Sequence, residues 1–494
     1  MRRKINLLLL GCLLVPPAWA LSLGTLTLGG AQKSVLSLSA DEASQHPWVV
    51  IGPLSGALQV HLLLEGAGFR TLAELPLVAG LPVTWSWPLP PGTLRVSVSG
   101  VWKSAVATLR TTKRPAEGNE LQVTRLRSGH PLYQFEFPAW NAAPSFTPQL
   151  ILDVRAKGPW EATVSGEGVS KRFELGPEVT KWAYSPQAWG VPPRLVTLSA
   201  ATDADFSPRE LRATGIAGDQ PLPADTATLL VWPHAQWRNS AREWFAWATA
   251  PNVLVLVTAS YAVQDDYFKR LAFFVEKTGT RGTLVSDEAL AGQHGWNAHD
   301  YAASDLANFY SLAAVRQFPL NPSELELRER LVASGILLVE GGGWKAGQGA
   351  VLGVSAESPP TLRGFLFTHE GFHGLYFTSD EFRRGVRDRW NQLSEGTKKA
   401  FRSFLAFSQY DPTDEPLMIN EFQAYVLQQG RGAWPSYFGN RVLARSTNLS
   451  PAQRAQVVAE LLVASADLEA LAGRLFGVIS GNLESVTALS GTKE

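Results

Sequence analysis

Cysteine is nearly absent from this chain, which has one, Cys12, among its 494 residues. A single thiol can form no disulfide within the chain and cannot build a zinc site from several thiolates. Any metal site must therefore use histidine and carboxylate side chains. An excess of charge of one sign is also absent, because 44 basic and 44 acidic residues balance. The chain lacks the basic character that recruits nucleic acid or anionic lipid, so we expect no nucleic-acid partner.

Long hydrophobic runs are missing as well. After the N-terminal segment no stretch reaches the roughly 18 uninterrupted apolar residues of a transmembrane helix, so we expect no membrane span in the mature chain. The composition, 45% hydrophobic and 18% charged, is that of a globular protein. The length exceeds that of one ordinary core and predicts about three domains. No feature of the sequence indicates an oligomeric state.

The N-terminus has the pattern of an export signal. A basic start is followed by a mostly apolar stretch over residues 5–15, and the cleavage-site pattern A-x-A occurs at 18–20. We therefore expect a signal peptide over 1–20 and export from a bacterial cytoplasm to the periplasm or the medium. An alternative is a lipid anchor at Cys12, because the residues around it resemble a bacterial lipobox. The apolar region before Cys12 would then be unusually short, and we favour soluble export.

The rest of the chain predicts a multidomain protein in which β modules precede an α+β domain. Residues 21–115 and 120–215 contain short runs of alternating polarity separated by Gly and Pro, which predict two β-sandwich-like modules. Polar or Pro-rich segments at 111–119 and 215–223 are predicted linkers. From 225 to 494 helical patterns first alternate with strands and then dominate.

Several elements of this last region can be predicted individually. We expect a helix at 240–248, a buried strand at 253–257 and a helix at 362–377. A strand at 350–355 is expected to be the edge strand that pairs with an extended substrate. Beyond 377 only helices are expected.

The most informative motif is H-E-x-x-H at His369, Glu370 and His373. Residues four apart on a helix lie one above the other, so two imidazoles can hold one metal ion. Glu370 then faces a water on that metal and can act as general base, as in the zincin metallopeptidases. The segment is largely apolar and free of proline, which is typical of a half-buried helix.

A catalytic zinc needs a third protein ligand and one open position. The metzincin pattern would require Gly at 376 and His at 379, whereas this chain has Tyr376 and Ser379. A carboxylate on a downstream helix is the remaining option. Glu421, on an otherwise apolar helix, is the first candidate, because an isolated buried carboxylate is costly unless it is paired or metal-bound. The competing candidates are Glu415, Asp414 and Asp411.

The H-E-x-x-H motif followed by Asn420-Glu421 resembles the gluzincins, the thermolysin-like zinc peptidases. The resemblance covers about the last 270 residues. It implies a zincin-like domain with a helical C-terminal half, Zn²⁺ as cofactor and His369, His373 and Glu421 as its ligands. One departure is Tyr425, at a position where the family often has an aspartate that orients a zinc histidine.

The resulting expectation is an exported zinc metallopeptidase that hydrolyses peptide bonds of a peptide or protein substrate. Glu370 would move the proton, and Tyr425 or Tyr376 would be the donor to the oxyanion. A polar and aromatic cluster at 294–301 would line the substrate cleft, hydrogen-bond a zinc ligand or begin a helix. The alternative function is a noncatalytic cell-envelope binding protein with a structural or vestigial metal site. A third interpretation makes the β region a removable propeptide.

Overall fold

The computed structural model describes only part of the N-terminal region and nearly all of the rest. It describes strands between residues 22 and 136, residues 146–217 with breaks at 180, 194 and 201–205, and residues 219–445 and 448–489. The predicted signal peptide, Cys12 and most of the predicted linker at 111–119 lie outside the described residues.

The first strand-rich block forms one antiparallel sheet, in the order β4-β3-β6-β2-β5, with β1 also paired to β6. Its strands are β1 (Ser22–Ser37), β2 (Trp48–Leu54), β3 (Leu58–Glu65), β4 (Thr71–Ala79), β5 (Val83–Pro88) and β6 (Arg95–Thr112). The antiparallel, strand-rich character predicted for this block is therefore confirmed.

The second block consists of two facing antiparallel sheets, β10-β9-β12-β7 and β11-β8-β13. Trp160 and Phe173 from the first sheet contact Trp182 from the second, with ring centroids 6.5 and 4.9 Å apart. Side chains from both sheets thus share one aromatic core, as in a sandwich. The elements are β7 (Leu132–Glu136), β8 (Phe146–Ala156), β9 (Trp160–Gly166), β10 (Val169–Leu175), β11 (Lys181–Tyr184), α1 (Pro186–Trp189), β12 (Leu195–Ala200) and β13 (Phe206–Ala217).

The third region is built on a mixed five-stranded sheet in the order β14-β15-β16-β20-β17. Its elements up to the last strand of this sheet are β14 (Leu222–Ala224), α2 (Thr226–Val231), β15 (Arg242–Trp247), β16 (Val253–Thr258), α3 (Tyr261–Val275), β17 (Ala298–Ala302), α4 (Ala303–Val315), α5 (Pro322–Ala333), the hairpin β18 (Leu337–Glu340) and β19 (Gly343–Ala346), and β20 (Ala350–Ser355). The helical half follows as α6 (Pro360–Thr378), α7 (Asp380–Gln392), α8 (Glu395–Phe407), α9 (Glu415–Leu427), α10 (Trp434–Asn440) and α11 (Pro451–Phe476), and the chain then adds β21 (Val486–Leu489).

Helices cover both faces of this sheet, which explains its composition. Every residue of β16 is buried, and its run Val-Leu-Val-Leu-Val is typical of a strand with helices on both sides. Leu254 and Leu256 pack in the core with α3, α4 and α5, whereas Val253 and Val255 pack in the core with α6 to α11. The mixed layout, with sheets first and a helical C-terminal half, agrees with the prediction at this coarse level.

Two predictions within the third region are wrong. Residues 240–248 do not form a helix, because 242–247 are the strand β15. Trp244 faces one core and Phe245 and Trp247 face the other, so the segment follows the two-residue period of a strand. The predicted linker at 215–223 is also partly in strands, since β13 extends to Ala217 and β14 begins at Leu222.

The predicted position of the edge strand is wrong by one strand. The strand at 350–355 exists, but it lies inside the sheet, between β16 and β17. The edge beside it is β17, which runs antiparallel to β20. The outer side of β20 is therefore already paired.

The C-terminal segment returns to the second β block. β21 pairs antiparallel with β10, so the expectation of helices alone after 377 is wrong. Buried hydrogen bonds join the same two regions, with Trp189 Nε1 donating to Thr228 Oγ1 at 3.1 Å. Removal of the second β block would leave β21 without its partner strand, which argues against a removable propeptide. The domain boundaries at 115–120 and 215–225 remain predictions.

Candidate metal centre

The H-E-x-x-H helix, α6, carries two glycines at packed positions, Gly371 beside the segment after α11 and Gly374 beside the sheet. A Cβ on Gly371 would come within 2.2 Å of Leu483 Cδ1, and a Cβ on Gly374 would lie 3.4 Å from Leu352. Gly371 is unfavourable for a helix by itself, and this close approach to Leu483 accounts for its presence. Ser379 ends the helix in an extended conformation.

The two histidines of the motif and the distant glutamate converge. His369 Nε2 lies 3.2 Å from His373 Nε2. The Glu421 carboxylate bridges the pair, with Oε2 3.6 Å from His369 Nε2 and Oε1 3.6 Å from His373 Nε2. His373 is completely buried, and the other two side chains are nearly so. The contact between helices α6 and α9 thus brings together residues that are 48 positions or more apart in sequence.

These distances fit a tetrahedral zinc site. Zinc lies about 2.0–2.2 Å from nitrogen and oxygen ligands, so two ligand atoms of a tetrahedron are about 3.3–3.6 Å apart. The separation of the two Nε2 atoms, 3.2 Å, lies close to this value, and each Glu421 oxygen lies 3.6 Å from one of these nitrogens. Glu421 Oε2 is also a buried acceptor that has no hydrogen-bond partner among the described residues. A cation between the three side chains would satisfy it.

Glu370 is the other acid close to this pair. His369, Glu370 and His373 offer ligand atoms within 4.8 Å of one another, and they form the one such group among the described residues that could hold a metal ion. Glu421 nevertheless suits the third ligand position better. Its two oxygens face both Nε2 atoms, whereas the Glu370 carboxyl is hydrogen-bonded to Asp300.

The competing acids on α9 and before it are engaged elsewhere. Glu415 accepts hydrogen bonds from Trp390 and Arg402. Asp414 caps α9 and forms an ion pair with Arg281. Asp411 accepts from the backbone and the hydroxyl of Thr413. Each therefore has a structural role away from the two imidazoles.

The second nitrogen of each histidine has its own neighbour. His369 Nδ1 lies 2.9 Å from Gln428 Oε1, so it can donate a hydrogen bond there and present Nε2 to a metal. Gln428 Nε2 in turn donates to the Tyr437 hydroxyl at 2.5 Å. His373 Nδ1 faces Asp300 Oδ2 at 3.7 Å. The orienting role that the gluzincin resemblance gives to the position of Tyr425 is thus open to Gln428.

Burial controls the protonation of the site. It lowers the pKa of His373 to about 4 and also lowers the pKa of His369, so both imidazoles are neutral and free to bind a metal at pH 7. Burial raises the pKa of Glu370 to about 7, opposed by His369 and by a hydrogen bond with Asp300. Burial, followed by the charge of Glu370, raises the pKa of Asp300 well above its usual value.

Two cavities flank the centre. The Glu421-side cavity, of about 680 Å³, is lined by Asn420, Glu421 and Tyr376 among others. The His369-side cavity, of about 720 Å³, is lined by His369, Glu370 and Tyr425 among others. Glu276 and Asp300 line both, so the two cavities meet at these acids.

Tyrosines lie on both sides of the centre, Tyr425 and Tyr410 beside the His369-side cavity and Tyr376 beside the Glu421-side cavity. Tyr425 packs edge-on against His369, with ring centroids 4.6 Å apart, and its hydroxyl is hydrogen-bonded to Tyr410. Tyr410 is also hydrogen-bonded to Glu421, and that contact opposes the rise that burial produces in the Glu421 pKa. Tyr376 lies on the side of α6 that faces the Glu421-side cavity.

The cluster at 294–301 contributes to the site. Residues 298–302 are the strand β17 rather than a helix start, and residues 294–298 line the His369-side cavity. This geometry supports its role in lining the cleft, and Asp300 of the same cluster also faces His373 Nδ1, at 3.7 Å. The buried His299 faces away from the metal ligands and contacts Tyr301 and Phe268.

The sequence did not single out four residues of this site, Asp300, Gln428, Tyr410 and Glu276, although Asp300 lies within the predicted cluster at 294–301. Glu276 forms no ion pair with a described residue, unlike Arg270 on the same helix, which pairs with Glu324. Its position at the C-terminal end of α3, directly after five apolar residues, was the available signal. A carboxylate there opposes the helix dipole and has no local reason to be present.

Comparisons of the chain with protein-family models, with curated proteins and with solved structures find no match. In the described chain, no helix combines the length and the apolar character needed to cross a membrane.

Proposed function

We propose that this chain is an exported zinc-dependent peptidase of the gluzincin type. The observation that carries the proposal is the position of the Glu421 carboxylate, 3.6 Å from Nε2 of both His369 and His373. These three side chains would hold the ion and leave one position open. A zinc ion bound there would supply a water of lowered pKa and a Lewis acid for the scissile carbonyl.

Glu370 would act as the proton carrier. Its carboxyl follows His369 on the same helix, lines the His369-side cavity and has a pKa raised to about 7 by burial. A group with a pKa near the working pH can both accept and return a proton. One of its oxygens would take the proton from the attacking water and then deliver it to the departing amine. The hydrogen bond with Asp300 would hold the carboxyl in place between the two transfers.

Strand β17 would position an extended substrate. It is an edge of the five-stranded sheet, it runs beside α6, and Asp300 within it lines both cavities. The unpaired edge of a sheet can pair with the backbone of a peptide, and the scissile bond would then lie across the metal centre. The role expected for residues 350–355 therefore passes to residues 298–302.

Tyr425 and Tyr410 are the candidates for a donor to the oxyanion, in place of Tyr376. Both line the His369-side cavity with Glu370. Burial raises the pKa of Tyr410 and of Tyr425, so both phenols keep their protons and can donate hydrogen bonds at neutral pH. Tyr376 lines the other cavity.

Hydrolysis by the zinc-loaded protein tests the proposal against the alternative of a noncatalytic binding protein. A mixture of unrelated peptides should be cleaved, and Glu370→Gln should retain the metal and lose the cleavage. The matched control is Glu395→Gln, because Glu395 is exposed on α8 and lines neither of these cavities. Cleavage that persists in Glu370→Gln, or a zinc-loaded protein that cleaves no peptide, would contradict the proposal.

A further inference from the structure

We infer that Glu276 binds a positively charged group of the substrate, and that the cleft therefore selects peptides with a cation close to the scissile bond. This inference rests on the proposed function and specifies its substrate class. The cation is either the α-amine of a peptide or the side chain of a lysine or arginine. Nothing in the role of H-E-x-x-H or of the third ligand requires an acid at this position.

Glu276 lies where the two cavities meet. It follows α3 as its C-cap residue, and its side chain lines both the Glu421-side and the His369-side cavities. The residue is 8% exposed, so the carboxylate is directed into the cleft rather than to bulk solvent. Glu421 lines the first of these cavities and Glu370 lines the second, so Glu276 borders the same cleft as the proposed metal centre.

No cation of the described chain neutralises this carboxylate by an ion pair. Its neighbour Lys277 places Nζ over the Trp296 ring instead, 3.0 Å from the ring centroid. The Trp296 indole is close enough to oppose the rise in the Glu276 pKa, yet its Nε1 has no partner at hydrogen-bond distance. Glu276 is therefore a buried acid with no ion-pair partner among the described residues, and the nearby charge of Lys277 opposes only part of the rise in its pKa.

Three unfavourable terms act on Glu276 at once. Burial removes water from the carboxylate, and this is the main cause of its raised pKa. The negative charges of Glu421 and Glu370 repel it. Its place at the C-terminal end of α3 puts it against the negative end of the helix dipole. A residue that destabilises the folded protein in three ways is expected to be retained when it serves ligand binding.

A substrate cation fits this position better than a second metal ion. Glu276 belongs to no group of histidine, cysteine or acidic side chains that is close enough to hold an ion, in the part of the chain that the structure describes. An ammonium or guanidinium needs only one or two carboxylate oxygens and carries its own hydrogen-bond donors. Asp300, at the same junction of the cavities, supplies a second acceptor.

Peptide binding to the Glu370→Gln protein tests the inference without turnover. Four peptides of one sequence are compared, with a free or an acetylated N-terminus and with lysine or norleucine at the central position. We expect one of the two cationic groups to tighten binding. The affinity ratio between the peptide with this group and the peptide without it should fall by about tenfold or more in Glu276→Gln. Binding to the peptide that lacks both cations should not change. Glu395→Gln is the control for the loss of one negative charge.

The peptides also show which source supplies the cation. Preference for the free N-terminus assigns an α-amine to Glu276, and preference for lysine assigns a side chain. Equal binding of all four peptides, or a preference that survives Glu276→Gln, overturns the inference. Hydrolysis by the zinc-loaded wild-type protein is measured separately. Cleavage without any preference for cations would support the proposed function and contradict this inference. A preference for cations without cleavage would support cation binding at Glu276 and contradict the proposed function.

The stability of the metal-free protein gives a second readout. If Glu276 is retained for binding, its buried charge destabilises the folded protein. Glu276→Gln removes that charge and should therefore raise the Tm. A glutamate with a structural role would lose its contacts, and the same substitution would lower the Tm. A lower Tm in Glu276→Gln, with Glu395→Gln unchanged, counts against the inference.

Discussion

Asp300 Oδ2 faces His373 Nδ1 at 3.7 Å, across the gap between the edge strand β17 and the helix α6. This contact links the edge strand β17 to one of the proposed metal ligands. His373 Nδ1 has no hydrogen-bond partner among the described residues, so a small movement of Asp300 would complete the bond. Carboxylates that orient ligand histidines in this way are a general feature of metal sites.

Asp300→Asn should weaken zinc binding. The neutral amide stabilises the orientation and basicity of His373 less than a carboxylate does, and the expected loss of zinc affinity is about 10- to 100-fold. Competition with a fluorescent chelator measures it. Asp388→Asn, at an exposed position of α7, is the control. Equal zinc affinity in the two variants would show that Asp300 does not orient the ligand.

Gln428→Leu should have a similar effect through His369. The substitution removes the acceptor of the His369 Nδ1 proton and leaves that buried group unpaired, so we expect zinc affinity to fall by about tenfold or more. Tyr437→Phe removes only the contact on the far side of Gln428 and should cost less. The same chelator competition measures both. A loss in Tyr437→Phe as large as that in Gln428→Leu would contradict a direct role for Gln428.

Gly371→Ala should destabilise the protein although alanine favours a helix. The new methyl group would meet Leu483 Cδ1 at 2.2 Å, and overpacking of this kind costs about 1–3 kcal/mol. Gly364→Ala on the same helix is the matched control, because its Cβ would meet nothing closer than 3.9 Å and should stabilise by up to about 1 kcal/mol. Urea unfolding measures the free energy of unfolding of each. A Gly371→Ala protein as stable as the wild type would contradict the close packing of α6.

The stability of the metal-free protein should fall as the pH rises from about 6.5 to 8. Burial raises the pKa of Glu370 from 4.5 to about 7, so the folded protein retains a proton that the unfolded chain has released, and stability is lost as the pH rises toward the folded pKa. Burial lowers the pKa of His373 from 6.5 to about 4, so its opposite contribution is complete above pH 6.5 and is lost only at lower pH.

Urea unfolding of the metal-free protein at a series of pH values measures this effect. The part due to Glu370 is about 1 kcal/mol over this range, and Glu370→Gln should lack it. If the wild type and Glu370→Gln show the same dependence on pH, Glu370 does not carry a raised pKa in the folded protein.

The sequence was sufficient to predict the proximity of residues that lie a few positions apart on one helix. His369, Glu370 and His373 lie on one helix, and helical geometry alone brings them together. The choice of Glu421 came from a resemblance and from the cost of a buried acid. The neighbours of the ligands, Gln428 above all, follow from the packing of α6 against α9, which no local pattern contains.

The wrong predictions about the fold also arise because long-range packing is not contained in any local sequence pattern. Trp244, Phe245 and Trp247 fit both helical and strand periods over so short a segment, and only the cores on either side of the sheet distinguish the two. The order of strands in a sheet is a long-range property, so the exchange of β17 for β20 at the edge could not be read from composition. The pairing of β21 with β10 joins segments about 310 residues apart.

The most direct test of the metal centre is the zinc content of the purified protein after dialysis against metal-limited buffer, measured by mass spectrometry. The wild-type protein should retain one zinc per chain, and His373→Ala and Glu421→Ala should retain far less. Glu415→Ala, which removes an acid that is bonded to Trp390 and Arg402, should retain one. A wild-type protein with well under one zinc per chain, or a Glu421→Ala protein with a full complement, would contradict the three-ligand centre.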